Sequence, residues 1–262
     1  MKFILSLWKR EYFYNEKRYN IRFLKSKVNI NPCSRDINKI IYCFWTGDNP
    51  MSENRLIGLK SIQENSGVEV VLVTPSNLNN FIKKDFPLHP AYPYLSLVHK
   101  SDYLRCYFMH HFGGGYSDIK PQLHNWEKAF AKLNNDKNAI AIGYHESSYK
   151  DIGYVKKFID SNKARKINKD LKRNFNLVIG NCGYIFKPYT QFTELWFTEL
   201  HKRLDENYEA LKEYPGNMMG NNEGYPLPWT SILGQIFHPL CLMFHDQILF
   251  DESIKPQTFN YR

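Results

Sequence analysis

Lys39-Ile40-Ile41-Tyr42-Cys43-Phe44-Trp45, followed by Thr46-Gly47-Asp48-Asn49-Pro50, decides the fold class. The first run is almost uncharged and reads as a buried strand, and the turn-forming cluster behind it ends that strand. Ser52 then offers a helix cap, and Leu56, Leu59 and Ile62 recur at helical spacing up to about Glu64. Val68-Glu69-Val70-Val71-Leu72-Val73 reads as a second strand, and Thr74-Pro75-Ser76 opens a short helix. Strand, helix, strand, helix in that order predicts an α/β layer fold with parallel strands.

Working outward, Pro87, Pro90 and Pro93 punctuate the chain before a helix predicted from about Leu97 to Phe112. Gly113-Gly114-Gly115 stops that helix. Tyr116 to Ile119, Ala139 to Gly143 and Leu177 to Phe186 read as further strands, Gln191 to Leu211 as a helix, and the tail after Pro226 as short helix and loop. Trp196, Phe197 and Leu200 read as core, and His110-His111 as favourable charge at a helix end. The chain has 262 residues, 43% hydrophobic and 23% charged, which is ordinary for a soluble globular protein. A chain of this length buries enough apolar surface to need no disulfide staples. Cys33, Cys43, Cys106, Cys182 and Cys241 are odd in number and widely spaced, so reduced thiols and a cytoplasmic setting are expected.

The net charge of +9 is concentrated. Residues 1–27 carry +6 and residues 155–175 carry another +6, which leaves the remainder mildly acidic. Two local patches suit an anionic membrane surface or a phosphate-bearing ligand, whereas a nucleic-acid groove spreads its charge over the fold. No nucleic-acid partner is expected. Residues 1–30 read as a basic, aromatic helical segment ahead of a single domain at 31–262. The segment either lies in a membrane interface or docks its aromatics on the domain. Its apolar start is too short for a secretory signal or a membrane span, so a peripheral position on the inner face of the cell membrane is expected.

The chemistry concentrates in Ser101-Asp102-Tyr103-Leu104-Arg105 and Gly113-Gly114-Gly115-Tyr116-Ser117-Asp118-Ile119-Lys120. Asp102 and Arg105 share one side of a helix, where they hold sugar hydroxyls or pair with each other. In the extended stretch after the glycines, Asp118 and Lys120 face one way and Ile119 the other. Pro121 keeps Lys120 extended. A carboxylate and an ammonium thus stand together beyond a strand end, where open α/β sheets take their ligands.

S-D-x-x-R followed by G-G-x-Y-x-D-x-D is the pattern this stretch resembles, that of the glycosyltransferases with a DXD sugar-binding region, a group that includes capsular-polysaccharide-synthesis proteins. The resemblance covers Ile40 to about Pro121, and more weakly Gly180-Asn181-Cys182-Gly183 and Trp229 to Phe250. It implies a GT-A-type (Rossmann-like) sheet with flanking helices and a nucleotide-sugar donor, UDP-linked. The acceptor would be a glycan or lipid-linked glycan of surface polysaccharide, capsule or lipopolysaccharide, with retention at the anomeric carbon. Phe44, Trp45, Thr46 and Gly47 would form the base end of the donor site, with Trp45 stacked on the base, a contact of ~1–3 kcal/mol in single-stranded nucleic-acid complexes. Asp102 and Arg105 would grip the donor sugar, and Tyr116 would lie near the base or ribose. Asn181 would reach the donor sugar or the acceptor.

Asp118 matches the first Asp of the metal motif, but Lys120 stands where the second belongs. The leaving nucleoside diphosphate needs a cation. Either Asp118 still binds Mn2+ or Mg2+ with help from His238, His245 or Asp246 in the tail, or Lys120 replaces the metal as a point charge, or the pair is structural and the site inactive. The last option leaves a nucleotide-sugar-binding or scaffold protein. Asn222 and Glu223, in Gly220-Asn221-Asn222-Glu223-Gly224, are candidates for acceptor contact. An inverting route would need a base, for which Glu223 or Asp246 are the candidates.

Overall fold

The computed structural model describes residues 12–25 and 37–259. In chain order the elements are α1 (Glu16–Tyr19), β1 (Ile40–Phe44), α2 (Glu53–Asn65), β2 (Glu69–Val73), α3 (Leu97–His111), β3 (Gly114–Ser117) and α4 (Glu127–Asn135). There follow β4 (Ala141–His145), α5 (Ser161–Arg173), β5 (Ile179–Phe186), α6 (Gln191–Glu206), α7 (Tyr208–Glu213), α8 (Gly234–Met243) and β6 (Ile248–Phe250). The protein is a mixed α/β fold on a six-stranded sheet of order β2-β1-β3-β5-β4-β6.

β1 lies parallel to β2 and β3, and β4 parallel to β6, while β5 runs antiparallel to β3 and β4. The expected parallel layer therefore holds for five strands and fails at β5, because an apolar run gives a strand's burial and not its direction. The reversal has a consequence for the site. The carboxyl ends of β1, β3, β4 and β6 share one edge of the sheet, and the amino end of β5, with Asn181 and Cys182, joins them there. The tail, expected as helix and loop, also supplies the edge strand β6. The helix expected over 191–211 is divided into α6 and α7.

Burial on both faces explains the near-continuous apolar sequence of β1. Tyr42 and Phe44 enter the larger core with α3, α5, α6 and α8, and Ile41 and Cys43 enter a second core with α2 and α4. The same alternation puts Tyr184 and Phe186 of β5 on the first face and Ile185 on the other. Between α3 and β3 the chain must turn within two residues. Gly113 and Gly114 both take positive φ, +65° and +82°, and a Cβ on Gly114 would meet the Ile40 carbonyl oxygen at 2.9 Å.

In place of the long helix expected at the N-terminus, residues 12–25 form one α-helical turn and a 3-10 turn at Arg22–Leu24; residues 1–11 lie outside the described residues. Tyr19, Ile21, Phe23 and Leu24 are buried in the larger core, so this part of the segment docks on the domain. Burying such a side chain contributes ~1.5–3 kcal/mol. Arg18 clasps α5 through Asp170, Nε to Oδ2 at 2.7 Å, and the Tyr19 hydroxyl donates to the same oxygen at 2.8 Å. The buried Arg203 of α6 has its guanidinium carbon 5.7 Å from the Phe23 ring centroid and 4.7 Å from that of Phe158. Among the described residues, no helix is long and apolar enough to cross a membrane.

Several histidines are buried, and His110 and His111, expected to carry charge at a helix end, are held uncharged by burial. Burial lowers His99, His110 and His201 to about 4 and His238 to about 3, from 6.5. A group held neutral in the fold contributes stability that is complete above its unfolded pKa and is lost as the pH falls from 6.5 toward its folded value. The imidazole of His238 accepts the Gly153 N–H at 2.8 Å, a role that an asparagine can mimic. His238→Asn should lower the Tm at pH 7, and the gap between parent and variant should narrow as the pH drops from 6.5 to 4. A gap that is constant with pH, measured by calorimetry, would show that His238 does not titrate this way.

Candidate functional site

Ser96 caps α3 by accepting the His99 N–H, and α3 carries Asp102 and Arg105 toward the carboxyl edge. Asp118 follows β3 directly, with its N–H donating to the Cys182 carbonyl oxygen of β5 at 2.8 Å. α2 comes close enough that a Cβ on Gly58 would stand 3.2 Å from Lys120 Cα. One turn earlier, Arg55 donates from Nη1 to the Ile119 carbonyl oxygen at 2.5 Å. Four elements thus fix the segment from Asp118 to Lys120.

The Asp118 carboxylate is surrounded by donors. Its Oδ1 lies 3.1 Å from Arg105 Nη2 and accepts the Tyr116 hydroxyl, and its Oδ2 lies 2.8 Å from Lys120 Nζ. Lys120 also donates to Cys182 Sγ at 2.9 Å. Arg105 donates from Nη1 to the Asn181 carbonyl oxygen at 3.1 Å and stacks 4.5 Å above the Tyr116 ring centroid. Burial alone would raise the Asp118 carboxyl, but Arg105 and Lys120 outweigh it and hold the group well below the usual carboxylate range. Burial works to lower Lys120, and Asp118 reverses this and lifts it above its ordinary value. The trio carries a net charge of +1. Asp102, with its Oδ1 3.7 Å from Arg105 Nε, is pushed up to about 7 by burial, against the pull of Arg105.

In front of this trio lies a cleft of about 230 Å³, lined by Phe44, Trp45, Thr46, Gly47, Arg105, Tyr116 and Asp118, with Arg55, Leu97 and Met218 among the other walls. The Trp45 indole N–H donates to the Asn49 carbonyl oxygen at 2.7 Å, and the Thr46 hydroxyl donates to that of Leu97 at 2.7 Å. Phe44 stacks on Tyr116 at 5.6 Å and 16°. A second cavity of about 140 Å³ shares Trp45 and Thr46 and continues past them to Val73, Leu78, Tyr92 and Lys100. The residues expected at the base end of a donor site therefore converge with Arg105 and Asp118 on one wall.

Other expected residues lie off that wall or are committed to neighbours within the protein. Asp102 stands behind Arg105, buried to 4% exposure, so it orients the guanidinium. Tyr116 spends its hydroxyl on Asp118. Lys120 is not among the cleft's lining residues, and its ammonium lies on the far side of the Asp118 carboxylate. Asn181 contributes its carbonyl to Arg105, and its side-chain oxygen is buried with no hydrogen-bond partner. Asn222 builds its own loop, accepting the Asn217 N–H at 3.0 Å and donating to the Pro215 carbonyl oxygen at 3.0 Å, and Glu223 is exposed.

The tail ligands are corrected by the fold. His238 lies inside α8, wholly buried, with its Nδ1 taken by Gly153. His245 and Asp246 precede β6 and so lie at the opposite edge of the sheet from Asp118. Among the described residues, no group of three His, Cys, Asp or Glu side chains is arranged to hold a metal ion. Both Asp118 oxygens already face cations, which repel a divalent ion, so this donor set does not fit Mn2+ or Mg2+.

Sequence reading missed Arg55 and Glu146. Nothing in its helical context distinguishes Arg55 from a surface arginine. Glu146 directly follows β4, so the rule that ligands gather at strand carboxyl ends could have found it. Its carboxyl is pushed up to about 7, by burial first and then by Asp151, while Lys255 and Lys120 work to lower it. The Tyr144 hydroxyl beside it accepts the Cys182 N–H at 3.2 Å.

No family model matches this chain, and no curated protein matches it. Among solved structures it is similar to one titled "PaToxG Glycosyltransferase", at 13% identity and a TM-score of 0.37, over 80% of this chain and 68% of that one.

The Glu146 environment has a measurable sign. A carboxyl raised from 4.5 to about 7 in the fold contributes stability below pH 4.5 that is lost as the pH rises through 7. Glu146→Gln should therefore melt higher than the parent at pH 8, with the advantage shrinking toward pH 4.5. An advantage that grows on acidification would reverse the assignment.

Proposed function

We propose that this chain is a glycosyltransferase of GT-A type that moves a sugar from a nucleotide-sugar donor, UDP-linked, to a hydroxyl of a glycan or lipid-linked glycan in surface polysaccharide synthesis. One observation carries the reading. An aromatic shelf, Phe44 and Trp45, and a cationic wall with its buried carboxylate, Arg105 and Asp118, meet in a single cleft at the carboxyl edge of the sheet. A planar base fits the first and a diphosphate the second. The S-D-x-x-R and G-G-x-Y-x-D order of the sequence supports the same reading.

In this scheme the base stacks on Trp45, and the diphosphate lies against Arg105 and Arg55. The bond from the anomeric carbon to the diphosphate oxygen breaks, and the nucleoside diphosphate leaves with the electron pair. The acceptor oxygen bonds to the anomeric carbon on the face that the donor left, and its proton passes to a leaving phosphate oxygen. Configuration is retained and no separate base is required. Arg55 on the wall, with the excess positive charge of the Arg105–Asp118–Lys120 trio, stabilises the developing negative charge in place of a divalent ion. Removing one such preorganised charge partner costs ~10²–10³ in rate.

A second reading has its own support. The Asp118–Lys120 pair at 2.8 Å is satisfied without a ligand, as in a structural ion pair, and fits a donor-binding protein that does not turn over. Assays separate the two. With UDP at a hundred times its Kd, either reading expects ~2.7 kcal/mol of stabilisation and a Tm higher by several degrees. Only the enzyme releases UDP from UDP-sugars.

Arg105→Ala and Arg55→Ala should each lower UDP release ~10²-fold or more. EDTA should leave the rate unchanged, and loss of turnover on chelation, restored by Mn2+, would overturn the metal-independent scheme. No thermal shift with any nucleoside diphosphate would sink both readings.

A further inference from the structure

Residues 12–25 of the first basic stretch and α5 of the second, more than a hundred residues apart in sequence, meet in space. Asp170 is the one acidic side chain within α5, and it is buried against Arg18 and Tyr19 of the N-terminal segment. The outward side of α5 is left with Arg165, Lys166, Lys169, Lys172 and Arg173, all exposed, and no acidic residue among them. Arg22 and Lys25 of the N-terminal segment and Lys163 of α5, with Asn20, line a shared open cavity of about 440 Å³. Lys17 and Arg18 are exposed nearby, with Glu16 the one acid between residues 12 and 25. On the same segment Phe13 is 75% exposed, more than any other large hydrophobic side chain among the described residues.

We propose that α5 and residues 12–25 together form a docking face for a lipid surface bearing anionic phosphate headgroups. The Arg18–Asp170 pair, whose carboxylate is buried, fixes one basic stretch against the other, so that their fields add, and Phe13 enters the headgroup layer beside them. Cations within a Debye length of an anionic bilayer each add to its binding, and an aromatic ring at the interface anchors the protein. The exposed Phe13 favours a bilayer over a nucleic acid, whose backbone offers it no apolar layer. This face lies on the α5 side of the sheet, served by the larger core, and uses none of the cleft residues, so it does not depend on the glycosyltransferase reading.

Co-sedimentation of the full chain with vesicles tests the proposal. Vesicles containing phosphatidylglycerol should retain the protein at low salt, those of phosphatidylcholine alone should not, and high salt should release it. Lys163→Glu with Lys166→Glu and Lys169→Glu should reduce partitioning by about a hundredfold or more, and Phe13→Ser should reduce it further. Lys128→Glu, on the opposite side of the sheet, should leave it unchanged. Circular dichroism and Tm confirm that the variants fold. Turnover of a water-soluble acceptor should be the same in all of them, which keeps a failure here distinct from a failure of the cleft assignment. Equal binding to neutral vesicles, or partitioning that survives the triple charge reversal in a folded variant, would overturn the lipid face. So would displacement by millimolar inorganic phosphate, which would mark a soluble phosphate as the ligand, or tighter binding to single-stranded RNA at the same salt.

Discussion

The Asp118 carboxylate is the constraint around which this end of the molecule is arranged. An ionised carboxyl buried at a sheet edge costs several kcal/mol unless charge and hydrogen bonds offset it. Arg105 from α3, Lys120 from its own extended segment and the Tyr116 hydroxyl from β3 supply that offset. Each partner is itself held: Arg105 by the Asn181 carbonyl and the Tyr116 ring, and Lys120 by Cys182. Removal of Asp118 would leave Arg105 and Lys120 with uncompensated buried charge, and loss of either cation would leave Asp118 with a single counter-charge, so the cluster acts as a unit. Its net positive charge makes the adjoining cleft a place for an anion.

The reversal of β5 completes that arrangement. Had β5 run parallel to β3, Asn181 and Cys182 would lie at the far edge of the sheet, and Arg105 and Lys120 would each lose a partner. The same logic removes His245 and Asp246 from consideration, since a residue ahead of β6 is a strand's length away from one that follows β3. Strand direction thus decides which titratable side chains share the cleft. It also brings Glu146, at the carboxyl end of β4, within electrostatic reach of Lys120.

Away from the cleft, the N-terminal segment illustrates how burial and charge divide along one stretch. Tyr19, Ile21, Phe23 and Leu24 point into the core, while Lys17, Arg18, Arg22 and Lys25 stay in solvent. Arg203, between Phe23 and Phe158 and ion-paired to the buried Glu199, gives this docking a cation within the core. The segment is therefore part of the domain's core and at the same time part of its most basic surface.

Local sequence determined what local physics controls. The apolar run at Ile40–Phe44, the Ser52 cap, the glycines that stop α3 and the spacing of Asp102 from Arg105 act within a few residues, and the structure bears these elements out. The cluster of Asp118 with Lys120 was legible for the same reason, since extended backbone puts alternate side chains on one side. Tertiary structure alone decided the direction of β5, the edge strand β6, the entry of Arg55 into the cleft wall, the withdrawal of Asp102 and Lys120 behind it, and the burial of His238. These depend on which faces of distant elements are pressed together, and hydrophobic period carries no information about strand direction or about which of two buried polar groups finds a partner. The meeting of two basic stretches across Arg18 and Asp170 belongs there too, because like charges come together only when the packing of apolar neighbours compels them.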